Sequence, residues 1–158
     1  MLQKIFEELD VWVEQENGDI ATSGGIRIPF FQIKVLGQTA LAEIKIDLDL
    51  FETQDLDAYV MCEERVKQKL DDLLRKINKQ YDFLSQEIWM PRETEYKILY
   101  KSKRFEASVA LPEYVLISKA LKAPTKNRTL ILEYLAKKPT DLFFNLAKAY
   151  GLDLTEFF

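Results

Sequence analysis

Residues 53 to 60 read Thr53-Gln54-Asp55-Leu56-Asp57-Ala58-Tyr59-Val60. Two carboxylates one residue apart lead into a run of β-formers, and in a strand residues i and i+2 point to the same face. Asp55 and Asp57 can therefore converge on one cation with oxygen ligands, as the transfer of phosphoryl or nucleotidyl groups with magnesium requires. The same pair would serve equally as exposed or capping residues at a strand edge. Its surroundings are acidic: residues 43 to 64 hold Glu43, Asp47, Asp49, Glu52, Asp55, Asp57, Glu63 and Glu64 against Lys45 alone, a balance of −7 in a chain whose total is −4. Like charges so crowded must be solvated or offset by cations.

Upstream, Phe30-Phe31-Gln32-Ile33-Lys34-Val35-Leu36 is rich in β-formers and closes on Gly37, which predicts a strand. The piece between the two strands reads two ways. Ile44, Ile46, Leu48 and Leu50 alternate as in a strand, while Leu41, Ile44, Leu48 and Phe51 fall on one helix face. The helix formers Ala40, Leu41, Ala42 and Glu43 directly after the glycine favour a helix over 39–49. With a second strand over 56–61, this predicts a short parallel, right-handed crossover.

The flanks complete an α/β pattern. Leu2, Ile5, Phe6, Leu9, Trp12 and Val13 predict a helix over 2–16, ended by Asn17-Gly18-Asp19. An amphipathic helix is expected over 63–79, and an apolar, irregular stretch over 83–91, with Trp89 and Met90 closing one edge of the core. Residues 96–100 and 104–110 form a hairpin pattern around Lys101-Ser102-Lys103. Pro112 is placed to open a helix that Pro124 ends; two more helices follow near 127–137 and 140–150, with Gly151 as a stop. The expectation is one domain over 1–158, a small mixed sheet in 1–110 and covering helices in 111–158.

Composition narrows the chemistry. At 158 residues, 47% of them hydrophobic, the chain supports one core of ordinary size. It has no histidine and a single cysteine, Cys62, which excludes an internal disulfide, Ser-His or Cys-His catalysis and a conventional zinc site. Carboxylates, lysines, hydroxyls and hard cations remain. Apolar runs are short and Lys4, Glu7 and Glu8 occupy the start, so neither a membrane span nor a secretory signal is expected, and a soluble, cytoplasmic protein is.

In order, these elements resemble the nucleotidyltransferase superfamily, particularly its small toxin–antitoxin-associated members. Val35-Leu36-Gly37-Gln38-Thr39-Ala40-Leu41-Ala42 looks like the family's glycine-helix opening, and Thr53 to Val60 like its acidic strand. Pro112-Glu113-Tyr114-Val115-Leu116 and Ser118-Lys119-Ala120-Leu121 are similar to the segment that carries a lysine near the nucleotide. The resemblance covers about a third of the chain. It implies a nucleotidyltransferase-like fold, Asp55 and Asp57 as magnesium ligands and catalytic acids, and Glu106 as a third carboxylate. It implies further that Gly37, Gln38, Thr53 and Lys119 contact ATP or another nucleoside triphosphate. Three departures stand out: Gln38 replaces a small residue, Phe51 stands where arginine is usual, and Lys126-Asn127-Arg128 is basic where acids are usual. The implied activity is transfer of a nucleotidyl group to a protein or RNA hydroxyl; the alternative is a noncatalytic, antitoxin-like binding module of the same fold acting through a protein partner.

Two surfaces suggest partners. Arg65, Lys67, Lys69, Arg75, Lys76 and Lys79 on one helix, with Lys97, Lys101, Lys103 and Arg104 at the hairpin, make a basic side that is either plain solvated surface or a contact for tRNA or protein. The apolar end, Phe143, Phe144, Leu146, Tyr150, Leu152, Leu154, Phe157 and Phe158, must pack on the core or on a second subunit as a homodimer.

Overall fold

The computed structural model describes residues 2 to 158. Helix α1 (Leu2–Ser23) buries Leu2, Ile5, Phe6, Leu9 and Val13 along one stripe. It runs past the break expected at Asn17 because Asn17 itself has tertiary work. Its amide donates to the Ile28 carbonyl at 3.3 Å and its carbonyl oxygen accepts the Ile28 N–H at 2.8 Å, tying the following loop to the helix. Those bonds outweigh the roughly 1 kcal/mol that Gly18 costs in a helix interior.

The main sheet is built from β1 (Phe31–Val35), β3 (Ala58–Val60), β5 (Tyr96–Lys101) and β6 (Phe105–Ala110), in the order β3-β1-β6-β5. Strand β1 pairs in parallel with β6, Ile33 opposite Ala107, and the predicted hairpin β5–β6 is present. Two further strands, β2 (Asp55–Leu56) and β4 (Gln80–Tyr81), form a separate parallel ladder. The chain is thus mixed α and β, as expected.

The predicted parallel crossover from β1 to the acidic strand is corrected: β1 and β3 are antiparallel, with Val35 opposite Ala58 and Ile33 opposite Val60. The reason is the length of the connection. Helix α2 (Gly37–Ile44) ends five residues earlier than predicted, at Lys45 in the left-handed region (φ 59°), whose N–H bonds back to Ala42. Residues 45–54 then return the chain to the end of β1 that it has just left. Helical spacing holds to Ile44; from Ile46 to Leu50 half-buried and exposed side chains alternate, but this piece forms no strand.

Helix α3 (Glu64–Arg75) stops before the predicted 79 because Asn78 takes a left-handed conformation (φ 60°) and Lys79 N–H bonds back to Leu74. The stretch between β4 and β5 is pinned to the C-terminal helices. Ser118 Oγ donates to the Trp89 carbonyl at 2.5 Å, and Lys122 lies 4.9 Å from the Trp89 ring centre. Helices α4 (Pro112–Lys122), α5 (Arg128–Ala136) and α6 (Asp141–Ala149) follow, α4 packing on α2 and α6. The apolar end is largely absorbed within the chain, for Phe143, Leu146 and Phe157 are buried while Phe144 and Phe158 stay exposed. A single hydrophobic cluster joins α1, the sheet and α6. Among the described residues no helix is long and apolar enough to cross a membrane.

Candidate functional site

The extended run from Asp55 to Val60 changes partner at Asp57. Before it, Asp55 and Leu56 pair with β4; after it, Ala58 to Val60 pair with β1. The Asp57 carbonyl accepts the Leu36 N–H at 2.8 Å, so the residue lies at the mouth of the β1–α2 turn. That turn is Gly37, with φ at +60° and so little room that an added Cβ would stand 2.6 Å from Asp57 Oδ2. Glycine is required there twice over, for the backbone angle and for the close approach of the carboxylate.

A second acid, which the sequence reading passed over, completes the pair. Asp82 follows β4, and its N–H donates to the Leu56 carbonyl at 3.0 Å, extending the parallel ladder by one residue so that Asp82 stands beside Asp57. The arrangement is fixed locally. Asp82 Oδ1 accepts the Leu84 N–H at 2.9 Å, and Ser85 Oγ donates to the Asp82 carbonyl while accepting the Ala58 N–H at 3.1 Å. A trace of this strand was present in the sequence, a β-former, Tyr81, between the helix stop at Asn78 and an acid; two-residue strands carry too little periodicity to register.

The pair is electrostatically loaded. Burial pushes the Asp57 carboxyl up, and Asp82, which accepts a hydrogen bond from the protonated form and repels the ionised one, pushes it further, to about 6. Lys119 on α4 opposes that shift through its charge. Lys119 is itself half-buried and makes no ion pair among the described residues. Burial lowers its ammonium below the ordinary lysine range; Asp57 works against that lowering, and the nearby Lys126 adds to it. The expected Gly37, Asp57 and Lys119 are thus brought together, with Asp82 beside Asp57.

Other expected residues sit around this centre. Asp55 is exposed, and its Oδ1 accepts from Gln80 Nε2 at 2.6 Å. It shares no continuous ladder with Asp57, because the run switches sheets between them. Thr53 shapes the entry, its hydroxyl accepting the Asp55 N–H at 3.2 Å and its carbonyl accepting from Lys79 Nζ at 2.8 Å. Gln38 spends its amide on the Phe51 carbonyl at 3.0 Å. Glu106 lies apart: it stands opposite Gln32, and from Gln32 to Leu36, the partner of Asp57, is about 13 Å of strand.

The donor set suits magnesium, which takes one or two carboxylates and leaves its remaining positions to water and phosphate oxygens. Asp57 and Asp82 offer that number of hard oxygen ligands. Among the described residues no group of three or more Asp, Glu or Cys side chains is arranged to hold a metal ion, so a cage made by protein alone does not fit. No side chain caps the start of α2, and the N–H groups of Gly37, Gln38 and Thr39 have no backbone partner, as in the first turn of any helix, which leaves them open to an anion. Surface hollows of about 350 and 480 Å³ lie elsewhere, one between α1 and α3 and one between α1 and the hairpin turn. Comparison of the chain with family models, curated proteins and solved structures finds no match.

Proposed function

We propose that this chain is a nucleotidyltransferase-like protein that binds a magnesium nucleoside triphosphate and transfers its nucleotidyl group to a protein or RNA hydroxyl. The observation that carries the reading is the Asp57–Asp82 pair at the Gly37 turn, facing Lys119. Asp57 and Asp82 would hold the cation; Asp55 stands at the rim. When bound, magnesium supplies neutralisation of phosphate charge and polarisation of the phosphorus under attack. The open N–H groups at the start of α2 receive phosphate oxygens, and Lys119 with Lys126 balances their charge. In the transfer the acceptor hydroxyl gives up its proton to water, its oxygen bonds to the α-phosphorus, the bond from that phosphorus to the oxygen bridging to the β-phosphate breaks, and pyrophosphate leaves.

Calorimetric titration of ATP with and without magnesium tests this, on the wild type and on the Asp57→Asn, Asp82→Asn double variant. Magnesium-dependent binding in the wild type alone is the expected result; a wild type that ignores ATP at every magnesium concentration would sink the reading. A second reading, binding without turnover, draws on the distance of Glu106 from the pair and on the engagement of Asp55 with Gln80. It predicts the same titration but no pyrophosphate release with any hydroxyl acceptor.

A further inference from the structure

Residues 45–54 form a strap along the rim of the acidic centre, and the direction of its side chains alternates. Ile46, Leu48 and Leu50 pack against the core, while Asp47 and Asp49 face water. Phe51 falls in the outward set and is 89% exposed. The strap is nonetheless held at several points. Lys137 Nζ donates to the Asp47 carbonyl at 2.8 Å, Glu133 Oε1 accepts the Asp49 N–H at 2.8 Å, and Lys79 Nζ donates to the Thr53 carbonyl at 2.8 Å. The Phe51 carbonyl accepts from Gln38, the residue after Gly37, at 3.0 Å. A backbone held at these points leaves the Phe51 ring bare, one hydrogen bond away from the residue that follows Gly37.

Nothing in the packing of the strap requires an aromatic there, since the inward positions do the burying and a ring in water gains nothing from the hydrophobic effect. A nucleobase would give the ring a partner, because every base offers a π face that stacks on an aromatic side chain. The charge of the strap selects the size of that partner. With Asp47, Asp49 and Glu52 exposed around Phe51, a polyanion crossing the surface is repelled, whereas one base carried by a mononucleotide brings no phosphate over the strap. We propose that Phe51 is the base-stacking residue of the site, determining affinity for the nucleoside part of a nucleoside triphosphate. This rests on the nucleotide reading above and goes beyond it in separating base recognition from phosphate recognition.

The test compares magnesium-ATP with magnesium-tripolyphosphate, which has no base, on the wild type and on Phe51→Ala, Phe51→Leu and Phe51→Tyr. Phe51→Ala and Phe51→Leu are expected to bind ATP about tenfold more weakly, as for the loss of one base–aromatic stack, and tripolyphosphate unchanged. Phe51→Tyr keeps the ring and should keep the affinity. Equal weakening toward both probes would mean that the ring merely positions the strap, and unchanged ATP binding in Phe51→Ala would mean that it does not touch the base. Either result overturns this inference while leaving nucleotide binding at Asp57 and Asp82 in place. A wild type that binds neither probe overturns both.

Discussion

Asp10 and Asp57 are carboxylates drawn out of water at opposite margins of one sheet, and the chain treats them in opposite ways. Asp10, 5% exposed, is answered on both oxygens: Arg104 Nε donates to Oδ1 at 2.5 Å and the Tyr100 hydroxyl to Oδ2 at 2.6 Å. Burial raises its carboxyl, but those bonds outweigh burial and hold it below the usual carboxylate range. Asp57 is also raised by burial, and its nearest neighbour, Asp82, raises it again. A buried acid answered by cations and hydroxyls fastens two elements together, here α1 to the hairpin. One placed against a second acid costs stability and is left in want of a positive ligand.

The sharpest way to break this contrast is to remove the answered acid. Asp10→Ala leaves the Tyr100 hydroxyl without its acceptor and Arg104 with only the exposed Glu14, 3.7 Å away, and its expected cost is about 3 kcal/mol in denaturant unfolding. That is the lower end for a buried pair broken on one side, because about a third of the Arg104 side chain stays in water. Since the Asp10 carboxyl is depressed, its contribution is present above its unfolded value of 3.8 and is lost as pH falls through the folded value. The gap between wild type and Asp10→Ala should accordingly narrow in acid. A loss below about 0.5 kcal/mol at pH 7, the range of an exposed pair, would deny Asp10 its fastening role.

Next in size is Gly37→Ala, which probes how tightly the unanswered acid is held. The left-handed φ and the 2.6 Å approach to Asp57 Oδ2 together should cost about 2 kcal/mol. Repeating the change in an Asp57→Ala background separates the two causes. There the new methyl meets no carboxylate, and about 1 kcal/mol should remain for the backbone angle alone. Identical losses in both backgrounds would show that Asp57 swings aside freely.

The two margins also differ in how far the sequence disclosed them. The hairpin margin was read almost residue by residue, because two runs rich in β-formers on either side of the short polar turn Lys101-Ser102-Lys103 pair locally and need no distant information; only the irregularity between Ile98 and Tyr100 left no sign. At the acidic margin Gly37, Asp57 and Lys119 were legible as types in an order, but their meeting depends on pairings set elsewhere. The antiparallel union of β1 with β3 follows from where α2 stops, and that is decided by Lys45 adopting a left-handed angle, which a lysine's identity does not announce. Asp82 was hidden for a related reason: its place beside Asp57 comes from a ladder of two residues per strand, too short to leave a period. Glu106 was expected from the resemblance, as the carboxylate of a later strand, and the register puts it opposite Gln32. The spacing of Asp55 and Asp57 did announce that the two charges act on each other, since Asp55 also raises the Asp57 carboxyl; the change of sheet between them was not legible.

The smallest effects come from comparing Asp57→Asn with Asp55→Asn, which asks which acid carries the unfavourable charge. Because the Asp57 carboxyl is raised, its contribution is fully present below the unfolded value of 3.8 and is lost as pH climbs through about 6. Asparagine resembles the protonated acid, so Asp57→Asn should match the wild type near pH 4. It should become more stable as pH passes 6, reaching a gain of about 1 kcal/mol, within the usual range for relieving a strained site. Solvent around the half-exposed carboxylate screens the repulsion and keeps that gain small. Magnesium should erase the difference by stabilising only the wild type, since a cation between Asp57 and Asp82 replaces the proton that the pair otherwise shares. Asp55→Asn should stay within about 0.5 kcal/mol of the wild type across the same pH range, because the side chain is exposed and an amide oxygen can still accept from Gln80. If Asp55→Asn removed the pH dependence measured by thermal unfolding as fully as Asp57→Asn does, the strained pair would be Asp55 with Asp57, as their spacing in the sequence first suggests, and Asp82 would be a turn residue held by Leu84 and Ser85.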